Sequence, residues 1–192
     1  MYLKVLIFFL VGQASVYAAS PSAVPARHGL VTSTSALASQ AGVDILRQGG
    51  NAVDAAVATA FALAVTYPAA GNIGGGGFAL VRLPDGRVFS LDHRETAPAS
   101  ASRDMYLDTE GEIIKGLSLK THKASGTPGS VDGLLELHGK FGVFDRKVVM
   151  QSAIDLAQGG FPLSWQMAES FNRMLRLAPD FPGYALSGLS IR

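Results

Sequence analysis

The sequence contains no cysteine among its 192 residues. This absence excludes disulfide scaffolds, zinc sites built on cysteine, iron–sulfur clusters and thiol nucleophiles. Charge is also scarce, since only 16% of the residues are Asp, Glu, Lys or Arg and the formal net charge is +1. A chain without a basic excess neutralises few phosphates, which argues against nucleic-acid binding. The hydrophobic fraction of 48% is too high for a disordered protein.

Several motifs that would mark a reactive site are missing as well. There is no Gly-x-Ser-x-Gly sequence, so an α/β-hydrolase serine is unsupported. None of the 4 histidines has a second metal-ligating residue three or four positions away on the same helical face. The residues therefore give no support for a metal site.

The apolar segment nearest the N-terminus, residues 5–11, is too short to span a bilayer. It follows Lys4, and small residues at positions 16 and 18 occupy the two places that a signal peptidase reads. The pattern predicts a signal peptide over residues 1–18, cleaved after Ala18, and a bacterial protein that is periplasmic or secreted. An uncleaved membrane anchor is the alternative.

A linker rich in Pro, Ala and Ser is predicted over residues 19–27, and one domain over residues 28–192. Helical and strand patterns alternate within this domain, which indicates a layered α/β or α+β fold. The predicted strands cover residues 29–32, 78–83 and 87–91. The predicted helices cover residues 33–48, 52–65, 130–140, 147–158 and 164–177, and residues 100–123 are expected to be loop-like.

The helix predicted over residues 52–65 is almost entirely Ala, Val, Leu and Phe. Asn51 is expected to cap its N-terminus, where the carboxylate of Asp54 meets the positive end of the helix dipole. Because the segment has no polar face, we expect the helix to be buried on all sides and to cover the predicted hairpin. At the start of the helix predicted over 130–140, Ser130 is the expected cap.

Four consecutive glycines precede the first hairpin strand. Gly74, Gly76 and Ala79 match the spacing G-x-G-x-x-A, but a dinucleotide site requires the order strand, glycines, helix. Here the glycines follow a helix and lead into a strand, so phosphate binding is disfavoured. We expect the glycines to permit positive φ angles and close backbone contact. Backbone N–H groups that line a pocket are the alternative.

A concentrated polar group, Asp92–Thr96, stands at the end of the second hairpin strand. Strand alternation places Arg94 on the face opposite His93 and Glu95. A guanidinium at a strand end, near a glycine-rich loop, is suited to bidentate binding of a carboxylate. The alternative is a structural salt bridge to Asp92 or Glu95.

Four sequence blocks then identify a family resemblance. In order, they are GGNAVDAAVA at 49–58, AGNIGGGGF at 70–78, RETAP at 94–98 and SGTPGSV at 125–131. Together they resemble the start of the large subunit of gamma-glutamyltransferases, which are also called gamma-glutamyltranspeptidases or glutathione hydrolases. The resemblance covers roughly residues 27–177.

The resemblance implies an N-terminal-nucleophile hydrolase with an αββα sandwich, of which this chain would hold a part (α+β). The family precursor cuts itself before a threonine, which begins the small subunit of the resulting heterodimer. The hydroxyl of that threonine attacks a γ-glutamyl substrate such as glutathione, and its free amine is the general base. Water or the amine of an amino acid or peptide then resolves the acyl-enzyme. Arg94 matches the arginine that holds the α-carboxylate of the γ-glutamyl group, and no metal or organic cofactor is implied.

The resemblance does not provide a nucleophile in this chain. Thr32, Thr34, Thr121 and Thr127 lie in blocks that resemble non-catalytic family segments. We therefore expect an enzyme fragment that carries one substrate anchor and is inactive alone. The alternative is a stand-alone secreted α/β binding or structural protein without catalysis, whereas a nucleotide-binding module is disfavoured by the element order around the glycines.

Overall fold

The computed structural model describes residues 23–177, so the predicted signal peptide and the last residues of the predicted domain lie outside the described range. Six α-helices, one 3-10 helix and one two-stranded sheet make up this range. In chain order they are α1 (Ala36–Arg47), α2 (Ala52–Thr66), β1 (Phe78–Arg82), β2 (Val88–Asp92), α3 (Leu117–Lys120), the 3-10 helix (His122–Ala124), α4 (Ser130–Phe141), α5 (Arg146–Gly159) and α6 (Trp165–Leu177). No helix within the described residues has both the length and the apolarity that a bilayer crossing requires.

Local capping signals place the first two helices as predicted. The side chain of Ser35 accepts a hydrogen bond from the backbone N–H of Ala38, which fixes the start of α1. Asn51 caps α2 in a reciprocal capping box with Asp54. Gly49, in the connection between the two helices, has a φ of +98°, a conformation that side chains other than glycine rarely adopt.

The carboxylate of Asp54 is fully buried and ties α2 to the turn between α4 and α5. It accepts hydrogen bonds from the backbone N–H groups of Asn51 at 2.9 Å, Val143 at 3.0 Å and Phe144 at 3.3 Å. The Nε2 atom of His138 lies 3.3 Å from the same carboxylate but forms no hydrogen bond with it. The connection to Val143 and Phe144, about 90 residues along the chain, extends beyond the cap that the sequence predicts.

Replacement of Asp54 by alanine should therefore lower the free energy of unfolding by about 2–4 kcal/mol, because buried backbone donors lose their acceptor. The midpoint of urea denaturation measures this loss. Asp44→Ala is the matched control, since the Asp44 side chain is 45% exposed and its partner Arg47 is more exposed still. The control should change stability by about 0.5 kcal/mol or less. Equal losses in the two variants would contradict the structural role of Asp54.

Helix α2 lies at the centre of the core and contacts α1, α4 and α5. The main buried cluster consists mostly of its side chains, with one or two from each of α1, α4 and α5: Ile45, Val53, Ala55, Val57, Ala58, Phe61, Leu137, Val149 and Ala153. The prediction that α2 is buried on all sides is wrong, because Ala52 and Ala56 are exposed and Ala60 is only half-buried. No described segment covers this alanine-bearing face.

The predicted hairpin is confirmed. Strands β1 and β2 are antiparallel, with Phe78 opposite Asp92 and Leu80 opposite Ser90, and the turn contains Gly86 at a φ of +90°. One face of the hairpin packs against the core cluster through Ala79, Val81 and Leu91. The other face is open, and Phe78 and Leu80 on it are 70% and 76% exposed.

The later helices form where the sequence places them, with three corrections in this part of the fold. Residues 29–32 form no strand, because no described strand lies beside them to pair with. The segment predicted as loop contains α3 and the 3-10 helix. Ser130 is the first residue of α4 rather than its cap: Gly129 is the N-cap, and the N–H groups of both residues donate to the carbonyl of Gly75 at 2.9 Å. The carbonyl of a distant loop thus anchors the start of α4, and no side chain caps it.

Candidate substrate-binding site

Backbone hydrogen bonds join three of the four family-like sequence blocks. Gly77 and His93 exchange N–H···O bonds of 3.3 and 2.9 Å, which extends the hairpin ladder by one pair. Thr96 and Thr127 exchange a second pair, of 3.1 and 2.8 Å. With the bonds from the start of α4 to Gly75, these contacts hold the glycine loop, the segment after β2 and the segment before α4 together. We call this arrangement the three-segment clamp.

The glycines of the clamp allow close backbone contact. A Cβ atom on Gly76 would lie 2.5 Å from the carbonyl oxygen of His93 and 2.6 Å from the Cα atom of Arg94. A Cβ atom on Gly129 would also overlap the carbonyl oxygen of His93. The predicted close approach is confirmed, but the predicted positive φ angles are wrong, because none of the residues 74–77 has one. The alternative of N–H groups that line a pocket stays a prediction: Gly76 and Gly77 line a groove, but the N–H of Gly77 donates to the carbonyl of His93.

A bulky residue at Gly76 should damage folding or maturation, because its side chain would overlap the backbone that carries Arg94. We expect Gly76→Val to reduce the yield of folded, processed protein severely. Gly74→Ala is the matched control in the same loop, since its Cβ would find only the Asn72 side chain, 3.6 Å away. Soluble yield, thermal melting and subunit processing measure the effect. A Gly76→Val protein that folds and matures like the control would argue against the close-packing role.

The side chain of Arg94 is exposed and forms no ion pair with any residue in the described range. The alternative of a salt bridge to Asp92 or Glu95 is therefore wrong. The link to Asp92 is a hydrogen bond of 3.1 Å from the backbone N–H of Arg94 to the Asp92 carboxylate. The guanidinium carbon lies 5.7 Å from the ring centroid of Phe78. Arg94 thus has a fixed backbone and a guanidinium whose N–H groups have no acidic partner among the described residues.

His93 points to the opposite side of the chain, as strand alternation predicts. Its side chain packs tightly against Gly133 of α4, where any Cβ would overlap it. A Cβ on Gly77 would also lie only 3.1 Å from the imidazole ring. The Nδ1 atom of His93 is buried and has no hydrogen-bond partner in the described structure. No sequence pattern indicates this contact, because Gly133 lies 40 residues further along the chain in a helical pattern.

A groove of about 480 Å³ opens beside the clamp, between α2 and β1. Its walls are mainly apolar, and the alanines of the uncovered α2 face line one side: Ala52, Ala56, Ala60 and Ala64. Phe78, Leu80 and His93 line it from the hairpin side. In the part of the chain that is described, no three His, Asp or Glu side chains converge as a metal site would require.

Comparison with known proteins places these features in a family. The sequence model of the gamma-glutamyltranspeptidase family matches residues 38–187. The chain is 51% identical over 146 residues to a glutathione hydrolase proenzyme of Escherichia coli strain K12, covering 76% of this chain and 25% of that protein. It is 50% identical over 149 residues to a glutathione hydrolase proenzyme of Pseudomonas sp. strain A14, covering 78% and 26%.

Solved structures give the same result. The gamma-glutamyltranspeptidase of Helicobacter pylori matches with a TM-score of 0.75 and 43% identity, over 79% of this chain and 44% of that one. The enzyme of Pseudomonas nitroreducens, complexed with L-DON, matches with a TM-score of 0.73 and 46% identity, over 80% and 45%.

The chain belongs to the gamma-glutamyltranspeptidase family. It spans about a quarter of the length of the curated relatives it matches. The predicted α+β class is confirmed, and what is present corresponds to under half of each of these two chains of known structure. The recognition from four short blocks is likewise confirmed.

Proposed function

We propose that this chain is part of a proenzyme that cleaves γ-glutamyl compounds such as glutathione and transfers the γ-glutamyl group to water or to an amine. The proposal is supported by relatives of about 50% identity over more than three-quarters of the chain, which are named glutathione hydrolase proenzymes. The clamp supports it from the structural side, because three family-like blocks that are distant in sequence meet there. A stand-alone binding or structural protein is not favoured, since the relatives that the chain matches are named as proenzymes of a hydrolase.

Within that enzyme, Arg94 would hold the α-carboxylate of the γ-glutamyl group. One observation supports this assignment most directly. The guanidinium of Arg94 has no ion-pair partner in the described range, and the backbone that bears it belongs to the hydrogen-bonded clamp. A guanidinium binds a carboxylate through two parallel N–H···O bonds, and a fixed backbone reduces the ordering cost of that contact. The experiment that tests the role is a kinetic comparison of the Arg94→Ala proenzyme with the unaltered one, in which kcat/KM for a γ-glutamyl amide should fall.

The attacking group would come from outside this chain. The family resemblance assigns it to the threonine that autocleavage exposes at the start of the small subunit. Internal threonines have no free α-amine to act as general base. The hydroxyl of one of them, Thr121, also donates to the carbonyl of Leu117 at 2.6 Å. The working enzyme would be a heterodimer of a large and a small subunit in an αββα sandwich, without metal or organic cofactor.

The rest of the proenzyme would also cover the apolar surface that this chain leaves open. The groove beside α2 and the open hairpin face expose large apolar side chains, including Phe78 and Leu80. Apolar surface of this kind marks contact with another segment or promotes aggregation.

Finally, the N-terminal signal-peptide pattern supports export of the protein, with cleavage after Ala18 and a periplasmic or secreted location.

A further inference from the structure

We propose that Phe78 is a positioning residue that holds the guanidinium of Arg94 in its carboxylate-binding orientation. This inference rests on the proposed role of Arg94. It concerns a side chain that would touch no substrate itself and would act through the arginine.

The backbone keeps the two side chains together. Phe78 is the register partner of Asp92 across the hairpin, and the Asp92 carboxylate accepts the backbone N–H of Arg94 at 3.1 Å. The bonded pair Gly77–His93 lies between the two side chains along the ladder. The backbone thus brings the two side chains to the same face of the hairpin, where the guanidinium carbon lies 5.7 Å from the ring centroid.

Contact with a ring face stabilises the guanidinium without using its hydrogen-bond donors. The face of an aromatic ring carries partial negative charge and attracts the cation, whereas the N–H groups lie in the guanidinium plane and stay available. An acidic partner would instead occupy those donors. Arg87 shows the contrast: it lies 5.9 Å from the Phe89 ring, but its Nε atom is bonded to the Asp85 carboxylate at 2.7 Å. Arg94 keeps the contact with the ring and has no such acid among the described residues.

The exposure of Phe78 also calls for a role beyond the described core. Its side chain is 70% exposed, so it adds little to the packing of the residues around it. Leu80, on the same face of the same strand, is 76% exposed but has no aromatic ring that could hold a cation. If these residues served only as apolar contact surface for the rest of the proenzyme, Phe78 and Leu80 would have the same role. A role in holding Arg94 would belong to Phe78 alone.

The test measures kcat and KM for a chromogenic γ-glutamyl amide in the complete proenzyme that carries this chain. Phe78→Leu should raise KM about two- to five-fold and leave kcat unchanged, since an exposed cation–π contact has about this strength. Phe78→Trp should behave like the unaltered protein, because tryptophan keeps an aromatic face. In an Arg94→Ala background, Phe78→Leu should have no further effect on KM. Val88→Ala is the control and should leave KM unchanged, since Val88 is 56% exposed on β2 and does not line the groove.

A subtler replacement keeps the shape of the side chain. Trifluorophenylalanine at position 78 has nearly the same size but a much weaker negative potential on its face. It should raise KM as Phe78→Leu does. If the leucine variant fails to mature, KM of the fluorinated protein is the measurement that tests the role of Phe78.

The outcomes separate the two proposals. If Arg94→Ala itself leaves KM and kcat unchanged, the proposed function of Arg94 fails. If Arg94→Ala is impaired but the fluorinated protein binds substrate normally, Arg94 stands and the role of Phe78 is overturned. The role of Phe78 is also overturned if Phe78→Leu raises KM equally with and without Arg94, because the effect would then not pass through the arginine.

Discussion

Purified alone, the 192-residue chain should release no chromophore from a γ-glutamyl amide above the uncatalysed rate. The expected loss relative to a complete enzyme is total, because removal of the nucleophile removes the covalent route itself. The only substrate-binding group that we assign to the chain is Arg94, and binding alone does not accelerate the acyl transfer. A spectrophotometric assay, with a complete proenzyme of the family as positive control, measures this directly.

Covalent labelling gives an independent check on the missing nucleophile. The intact mass of the pure chain should stay unchanged after incubation with a reactive glutamine mimic, whereas the positive control should gain one adduct on its small subunit. Steady turnover by the pure chain, or a stoichiometric adduct on it, would show that one of its own residues attacks the substrate. Our assignment of the nucleophile to another segment would then be wrong.

Replacement of Arg94 by alanine in the complete proenzyme should lower kcat/KM for a γ-glutamyl amide about ten- to hundred-fold. A hydrogen bond to a charged group contributes about 1.5–3 kcal/mol, and each 1.36 kcal/mol corresponds to about a factor of ten. The variant should still fold and mature, because the Arg94 side chain is exposed and makes no ion pair in the described range.

Two further variants calibrate that loss. Arg94→Lys should fall between alanine and the unaltered protein, since lysine keeps the charge but lacks the planar fork of N–H groups. Arg87→Ala is the matched control: Arg87 is also exposed, also lies over a ring, and is paired with Asp85 in the hairpin turn. Its kcat/KM should stay within about two-fold of normal. An unchanged kcat/KM for Arg94→Ala would assign Arg94 a structural role.

Local signals make much of the fold predictable. The caps Ser35 and Asn51 depend on hydrogen bonds within three residues, so sequence alone places the starts of α1 and α2. The hairpin depends on alternation and on a turn that contains Gly86. The four family-like blocks are enough to identify the family and to single out Arg94.

Features that depend on distant contacts are not predictable in this way. The composition of α2 indicates burial but does not say which segment covers each side, so it does not reveal the open face of Ala52 and Ala56. A glycine can serve either to adopt a positive φ angle or to let another backbone approach closely, and the sequence does not distinguish these two reasons. At Gly76 the reason is close approach, because a Cβ would overlap the backbone of His93 and Arg94, whereas its φ is not positive. The prediction of Ser130 as a cap is wrong because the helix already begins at Ser130, where the N–H groups of Gly129 and Ser130 donate to the carbonyl of Gly75, far away in sequence.

The most direct measurement of the central claim compares two substrates in two proteins. One substrate is a chromogenic γ-glutamyl amide, and the other is the same amide without the α-carboxylate. The unaltered proenzyme should prefer the first strongly, and Arg94→Ala should lose about ten- to hundred-fold on it but almost nothing on the second. An equal loss on both substrates would show that Arg94 does not bind the α-carboxylate and would contradict this account.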